Sequence, residues 1–242
     1  MQKNVEKMSI NYSPNFDTKK RSASRVKYLI FHYTGMRSEN AAIKKLTNTS
    51  SKVSCHYFIK SNGEIIKIVP DLYIAWHAGI SSWKKDKSLN SNSIGIEISN
   101  PGHNYKYKKF TQKQVASIIN LSKNLKKKYK IKKENILGHS DIAPLRKKDP
   151  GEKFPWELLS KKKICLWHNV SEKNCKKLRG KKLNNNNFFF QLLFKFGYKC
   201  STDNNEKIKI YKNFQRRFRP QLISSIVDQE SYAILKSLIS LN

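Results

Sequence analysis

The chain has 242 residues, 38% of them hydrophobic with many aromatics, and a formal net charge of +32 from 49 Lys and Arg against 17 Asp and Glu. That length and apolar content suffice for one medium domain plus a small one, and they exclude general disorder. No run approaches the roughly 18 apolar residues that span a bilayer as a helix, which excludes an integral membrane protein of that kind.

Residues 1–24 are polar and read as an extended N-terminal arm. Asn4, Glu6, Asn11 and Asp17 interrupt them, and the first thirty residues hold no signal-like apolar stretch. The chain is therefore expected to be cytosolic, exported by another route, or separated from its leader. Tyr28-Leu29-Ile30-Phe31 has the character of a buried strand ending at His32. A short helical pattern covers 41–46, and two strand-like runs, 54–59 and 64–69, flank the hairpin chemistry of Ser61-Asn62-Gly63.

Over 93–99, Ile94, Ile96 and Ile98 alternate with Gly95, Glu97 and Ser99, so Glu97 faces away from the isoleucine side. The clearest helix is 111–129, with Thr111 as N-cap and Val115, Ile118, Ile119, Leu121 and Leu125 as its apolar stripe. Residues 135–138 return as a short strand that delivers His139. The Lys- and Asn-rich stretch 171–187 reads as a linker. Helical patterns at 188–196, 206–218 and 228–241 predict a small three-helix second domain.

Two widely separated histidine segments stand out: Phe31-His32-Tyr33-Thr34, and Gly138-His139-Ser140-Asp141 running on to Lys147-Lys148-Asp149-Pro150-Gly151. His32, His139 and Asp149 offer two nitrogens and an oxygen, a three-ligand zinc set with an open fourth position for water. Glu97 is a carboxylate able to take a proton. Lys147, two residues before Asp149, shares its face in an extended loop and can stabilise an oxyanion. Spacing alone leaves satisfied core histidines, a salt-bridging glutamate and a solvated lysine as alternatives.

Cys55, Cys165, Cys175 and Cys200 contain no Cys-x2-Cys knuckle, so free thiols are expected rather than a second metal site. The positive charge suits a polyanionic partner, and a basic nucleic-acid-binding protein is one alternative. Lysines nevertheless occur in every segment and accompany abundant Asn and Ile. This pattern reads as compositional drift with a basic solvated surface, and no nucleic-acid partner is expected.

The sequence resembles the zinc-dependent N-acetylmuramoyl-L-alanine amidases of type 2, related to T7 lysozyme and the peptidoglycan recognition proteins. The likeness is carried by FHYT at 31–34, SCHYFI at 54–59, AWHAG at 75–79, NSNSIGIEISNPG at 90–102 and GHSDIAPLRKKDPGEKFPW at 138–156. It covers about residues 25–170, which the resemblance marks as a zinc amidase catalytic domain. Phe214-Gln215-Arg216-Arg217-Phe218-Arg219-Pro220 and 228–238 resemble the AmiD-like branch, whose C-terminal helices bind peptidoglycan, implying such a module over 188–242.

What the resemblance implies is an α/β (α+β) fold with a mixed central β-sheet flanked by helices, and a bacterial hydrolase of cell-wall turnover. One zinc ion would be held by His32, His139 and Asp149, with Glu97 as general base and Lys147 as stabiliser of the tetrahedral intermediate. Trp76, His77 and Asn92 would line the substrate groove. The substrate would be peptidoglycan or muropeptide, cleaved between the lactyl group of N-acetylmuramic acid and L-alanine by a monomer. Its place would be the envelope or, given no visible signal peptide or lipobox, cytoplasmic muropeptide recycling. A peptidoglycan-recognition protein that has lost catalysis is the nearest alternative. His56 is expected to be a buried structural histidine, and His103 and His168 receive no role. Cys165 stands where relatives carry Gly and is expected to serve packing.

Overall fold

The apolar runs form a six-stranded mixed sheet in the computed structural model, which describes residues 8–241. In chain order the strands are β1 (Met8–Ile10), β2 (Phe16–Asp17), β3 (Tyr28–Tyr33), β4 (Tyr57–Ile59), β5 (Ile65–Lys67), β6 (Ile74–Ala75), β7 (Ser82–Trp83), β8 (Asp86–Lys87), β9 (Ser93–Ile98) and β10 (Ile136–Gly138). The sheet order is β1-β5-β4-β9-β3-β10, while β2 with β6 and β7 with β8 make two small ribbons. The helices are α1 (Glu39–Thr47), α2 (Gln112–Tyr129), α3 (His139–Ile142), α4 (Trp156–Lys161), α5 (Glu172–Leu178), α6 (Asn186–Phe196), α7 (Asn204–Phe218) and α8 (Gln229–Ser240).

Strands β4, β9, β3 and β10 run parallel, so their carboxyl ends meet at one edge, where α/β sheets commonly build sites. The register sets His32 opposite Glu97 and Gly138 opposite Phe31, with His139 following directly. Alternation then assigns the faces. Leu29 and Phe31 join Ile94, Ile96 and Ile98 and the α2 residues Ile118, Leu121 and Leu125 in one core. Tyr28 and Ile30 face the other way, into a core with Leu137 and the aromatic C-terminal helices. Helix α2 starts as its sequence implies: Thr111 accepts from the Gln114 amide and the Gln114 side chain returns the bond, a capping box.

Three stretches differ from expectation. The N-terminal arm is paired where it is described: β1 adds in parallel to β5, β2 pairs with β6, and buried Arg21 donates to the carbonyls of Asp71 and Asn90. Two- and three-residue strands are too short to show a period. The 171–187 stretch, expected as a linker, carries α5, capped by Ser171 and seated on buried Cys175. Its lysines Lys173, Lys176 and Lys177 point outward, which hides the helix in the composition. Helices α6, α7 and α8 appear where predicted, but Phe189, Leu193, Phe214 and Leu235 share the core of the sheet face that holds Tyr28 and Ile30.

Asp71 ties α2 to the sheet. Its buried carboxylate accepts from Tyr57 Oη (2.5 Å), Tyr129 Oη (2.7 Å) and Lys128 Nζ (2.8 Å). Burial alone would raise its pKa, but the bonds from Lys128, Tyr57 and Tyr129 hold it well below the usual carboxylate range. A depressed folded-state pKa stabilises the protein above the unfolded value and ceases to do so as pH falls. Asp71→Asn is therefore expected to lower the unfolding free energy at neutral pH by roughly 1.5–3 kcal/mol. The gap to the parent should narrow below about pH 4, read by urea titrations on both sides of that value. A gap independent of pH would remove the carboxylate charge as the stabilising element.

Candidate active site

On the face opposite α2, the carboxyl edge of the sheet opens into a cleft of about 400 Å³. The alternation that buries Leu29 and Phe31 against α2 turns His32 into this cleft, and on β9 it turns Gly95 and Glu97 the same way. Ala42, Lys45 and Leu46 of α1 line one side, with Trp76 and His77 beside them. The loop Arg146–Lys147–Lys148–Asp149 lines the other.

At the floor, His32 Nδ1, His139 Nδ1 and Asp149 Oδ2 converge, with separations of 2.9 Å (His32 to His139), 3.2 Å (His32 to Asp149) and 3.0 Å (His139 to Asp149). Hydrogen-bond accounting fixes what His32 carries. The single hydroxyl proton of Ser93 goes to the Leu89 carbonyl at 2.6 Å, so Ser93 Oγ must accept from His77 Nε2 at 3.1 Å. His77 Nδ1 is then an acceptor, and it takes the proton of His32 Nε2 at 3.0 Å. His139 Nε2 lies 3.2 Å from the Ala78 carbonyl and 3.3 Å from Arg146 Nη2, a guanidinium nitrogen that can only donate and that also reaches that carbonyl. The relay thus leaves His32 Nδ1 as a lone pair facing His139 Nδ1 and the Asp149 carboxylate.

Three atoms this close, each able to offer a lone pair once any shared proton is displaced, form a set that a cation can occupy. Zinc bonds of about 2.0 Å in a tetrahedron put ligand atoms about 3.3 Å apart, so the residues fit such an ion after movements of tenths of an ångström. Burial pushes His32 down to about 4, keeping it neutral as ligation requires. Burial would raise Asp149, but His139 and His32 hold it far below the usual carboxylate range.

Glu97 lines the same cleft, and its buried Oε2 has no hydrogen-bond partner. Burial, reinforced by the charge of Asp149, pushes its carboxyl up to about 8. Lys147 also lines the cleft, so Glu97, Lys147 and the three convergent residues are brought together. Trp76 stands in the wall, its Nε1 donating to Asp17 at 2.7 Å. His77, expected to face substrate, has both ring nitrogens engaged behind His32.

Asn92 is not in the cleft. It precedes Ser93, which pairs with Tyr28 at the opposite end of the strands from His32 and Glu97, roughly 15 Å away by strand rise. Asn90 instead supports the wall, its Oδ1 accepting from the amides of His77 and Ala78.

His56 is fully buried as expected. Its Nδ1 accepts from the Gly95 amide, so Nε2 donates to the Tyr73 carbonyl. His103 lines the cleft and bridges Tyr33 Oη (2.8 Å) and Glu152 (3.0 Å), a pairing that local sequence does not announce. Cys165 is a buried free thiol within the core that holds Phe154 and Trp156. Gly95 did leave a signal, a glycine inside an isoleucine strand. A Cβ there would lie 2.4 Å from His77 Cγ, so only glycine admits the imidazole against the strand. At Gly138 a Cβ would lie 2.7 Å from Pro150 Cδ, so glycine also lets the Asp149 loop close over the end of β10.

Comparison with known proteins agrees with this geometry. The profile of a family described as N-acetylmuramoyl-L-alanine amidase (Amidase_2) matches residues 22–152. N-acetylmuramoyl-L-alanine amidase AmiD of Escherichia coli (strain K12) is 34% identical over 243 residues, covering 92% of this chain and 87% of that protein. The structure of E. coli AmiD in complex with the substrate anhydro-N-acetylmuramic acid-L-Ala-D-gamma-Glu-L-Lys superposes with a TM-score of 0.82 at 33% identity, covering 90% of each chain. AmpDh3 from Pseudomonas aeruginosa superposes with a TM-score of 0.80 at 29% identity, covering 94% of this chain and 96% of that one. With a matched profile over the sheet and cleft and a relative aligned along nearly its whole length, the chain belongs to the N-acetylmuramoyl-L-alanine amidase family.

Proposed function

We propose that this chain is a zinc amidase that hydrolyses the bond between the lactyl carbonyl of N-acetylmuramic acid and the amino group of L-alanine, in peptidoglycan or in muropeptides released from it. The observation that carries the reading is the convergence of His32 Nδ1, His139 Nδ1 and Asp149 Oδ2 in the cleft that also holds Glu97. The muropeptide bound to the similar AmiD supports the substrate class. Zinc held by these three residues supplies Lewis acidity, polarising the carbonyl and bringing deprotonation of water toward neutral pH.

The remaining chemistry belongs to side chains. Glu97 Oε2 has no protein donor competing for its lone pairs, so it is free to accept the proton of the attacking water. Its environment keeps it basic enough to hold that proton and acidic enough to return it to the leaving alanine nitrogen. Lys147 places an ammonium in the cleft where charge develops on the carbonyl oxygen. Trp76 offers a flat apolar wall to sugar or peptide. His77 and Ser93 orient His32 so that its Nδ1 lone pair, rather than a proton, points at the ion.

In folded, zinc-loaded protein, Glu97→Ala is expected to slow muropeptide cleavage by about 10²–10⁴-fold. Mass analysis of products from whole peptidoglycan, with and without a chelator, reads bond, fragment size and metal dependence together. Wild-type cleavage by the variant would dismiss Glu97 as the base, and chelator-insensitive release of stem peptide would overturn the zinc reading. His77→Ala, which removes the acceptor of the His32 Nε2 proton, should weaken zinc binding about 10–100-fold in chelator competition. Unchanged affinity would mean that the relay does not orient the ligand.

A further inference from the structure

Asn213, Arg216 and Arg217 lie at i, i+3 and i+4 of α7, on one face of the helix. Asn213 and Arg217 reach the segment that carries His139, Lys147 and Asp149, and Arg216 reaches Glu152 just beyond it, although all three stand far along the chain in the part that resembles a wall-binding module. The Asn213 carboxamide, only 2% exposed, donates through Nδ2 to the carbonyls of Pro144 (2.7 Å) and Lys147 (3.0 Å). Its Oδ1 accepts from Arg216 Nη1 at 2.8 Å, which fixes the amide's orientation.

Arg217 pairs with buried Asp141 of α3 and donates to the Ile136 carbonyl of β10 at 2.9 Å, its guanidinium lying 4.4 Å over the Trp156 ring. Asp141 also accepts from the Gly138 amide at 2.7 Å and from Tyr198 Oη at 2.6 Å. The start of α3, where His139 sits, is thus braced from below.

We propose that α7 is a positioning element of the active site, with Asn213 as the residue that sets the Pro144–Lys147 turn and hence the Lys147 ammonium and the approach to Asp149. The turn closes through the amides of Arg146 and Lys147, both directed at the Ala143 carbonyl. The carbonyls of Pro144 and Lys147 point the other way, into α7, and one carboxamide serves both. A buried carbonyl stripped of its donor costs more than the bond itself contributes, so the turn shifts to regain a partner. A shift near 1 Å in a catalytic group is enough to slow a reaction about 100-fold. The catalytic consequence rests on the amidase reading above, whereas the holding of the turn does not.

The test uses the full chain with Asn213→Asp, which keeps the shape but removes both donors, and Asn213→Ala, which removes the group. Ile234→Val, buried in α8 within the same core, serves as a control for general loosening. Hydrogen exchange in metal-free protein is expected to quicken about tenfold or more over 143–149 in both Asn213 variants and not in the control. The kcat for muropeptide cleavage should fall about 10–100-fold with KM within about twofold, while Ile234→Val lowers the melting temperature and leaves kcat in place. If Asn213→Asp does not fold, Asn213→Ala decides. Folded Asn213 variants with parental exchange over 143–149, or with parental kcat, overturn the proposal. A parent chain that releases no stem peptide counts against the amidase reading instead, and the exchange measurement still decides whether Asn213 holds the turn.

Discussion

The site is organised around one convergence. Two imidazole nitrogens and a carboxylate oxygen meet within 3.2 Å, and hydrogen bonds elsewhere have already committed the Nε2 proton of His32 away from it. The sequence of commitments starts at the Leu89 carbonyl, which takes the Ser93 proton, and runs through His77 to His32. A buried cluster of this kind gains from a cation at its centre, which links metal affinity to folded-state stability.

The rest of the fold serves that point. Parallel pairing of β4, β9, β3 and β10 delivers His32, Glu97 and His139 to a common edge, and strand alternation turns the first two toward the same face. The opposite face is occupied by α2, anchored through Asp71, so the sheet is rigid behind the cleft. On the cleft face, α1 forms one flank and the C-terminal helices brace the other through Asn213 and Arg217, with Arg216 orienting the Asn213 amide. Asp149 arrives by a loop, and the Ser140 amide donating to the Asp149 carbonyl at 2.8 Å holds that loop to the start of α3.

Much of this was legible in the sequence because it is written in periods. The isoleucines of 94–98 gave both the strand and the outward side of Glu97, the Thr111 cap and its stripe gave α2, and Ser61-Asn62-Gly63 gave the β4–β5 turn. The family motifs named His32, His139, Asp149, Glu97 and Lys147, all of which the fold gathers. Elements without a period stayed hidden: β1, β2 and β6 to β8 are two or three residues long, and α5 is masked by its lysines. Asn90 and Asn92 cannot be told apart by type, and only the tight turn over Leu89–Asn92 decides which amide reaches the cleft wall. His77 lines the cleft, but its part in the relay stayed hidden because its partner Ser93 is an ordinary strand serine until the fold places it. Asn213 had no local signal at all, since its two acceptors are backbone carbonyls more than sixty residues upstream.

The central claim is that both histidines present Nδ1 to a metal, His32 because its Nε2 proton is held by His77. Anomalous scattering at the zinc edge, from crystals of the full chain grown with zinc, tests this directly. The account predicts one strong peak bonded at about 2.0–2.2 Å to His32 Nδ1, His139 Nδ1 and Asp149 Oδ2. A peak bonded through Nε2 of either histidine, or no peak among the three residues, would contradict it.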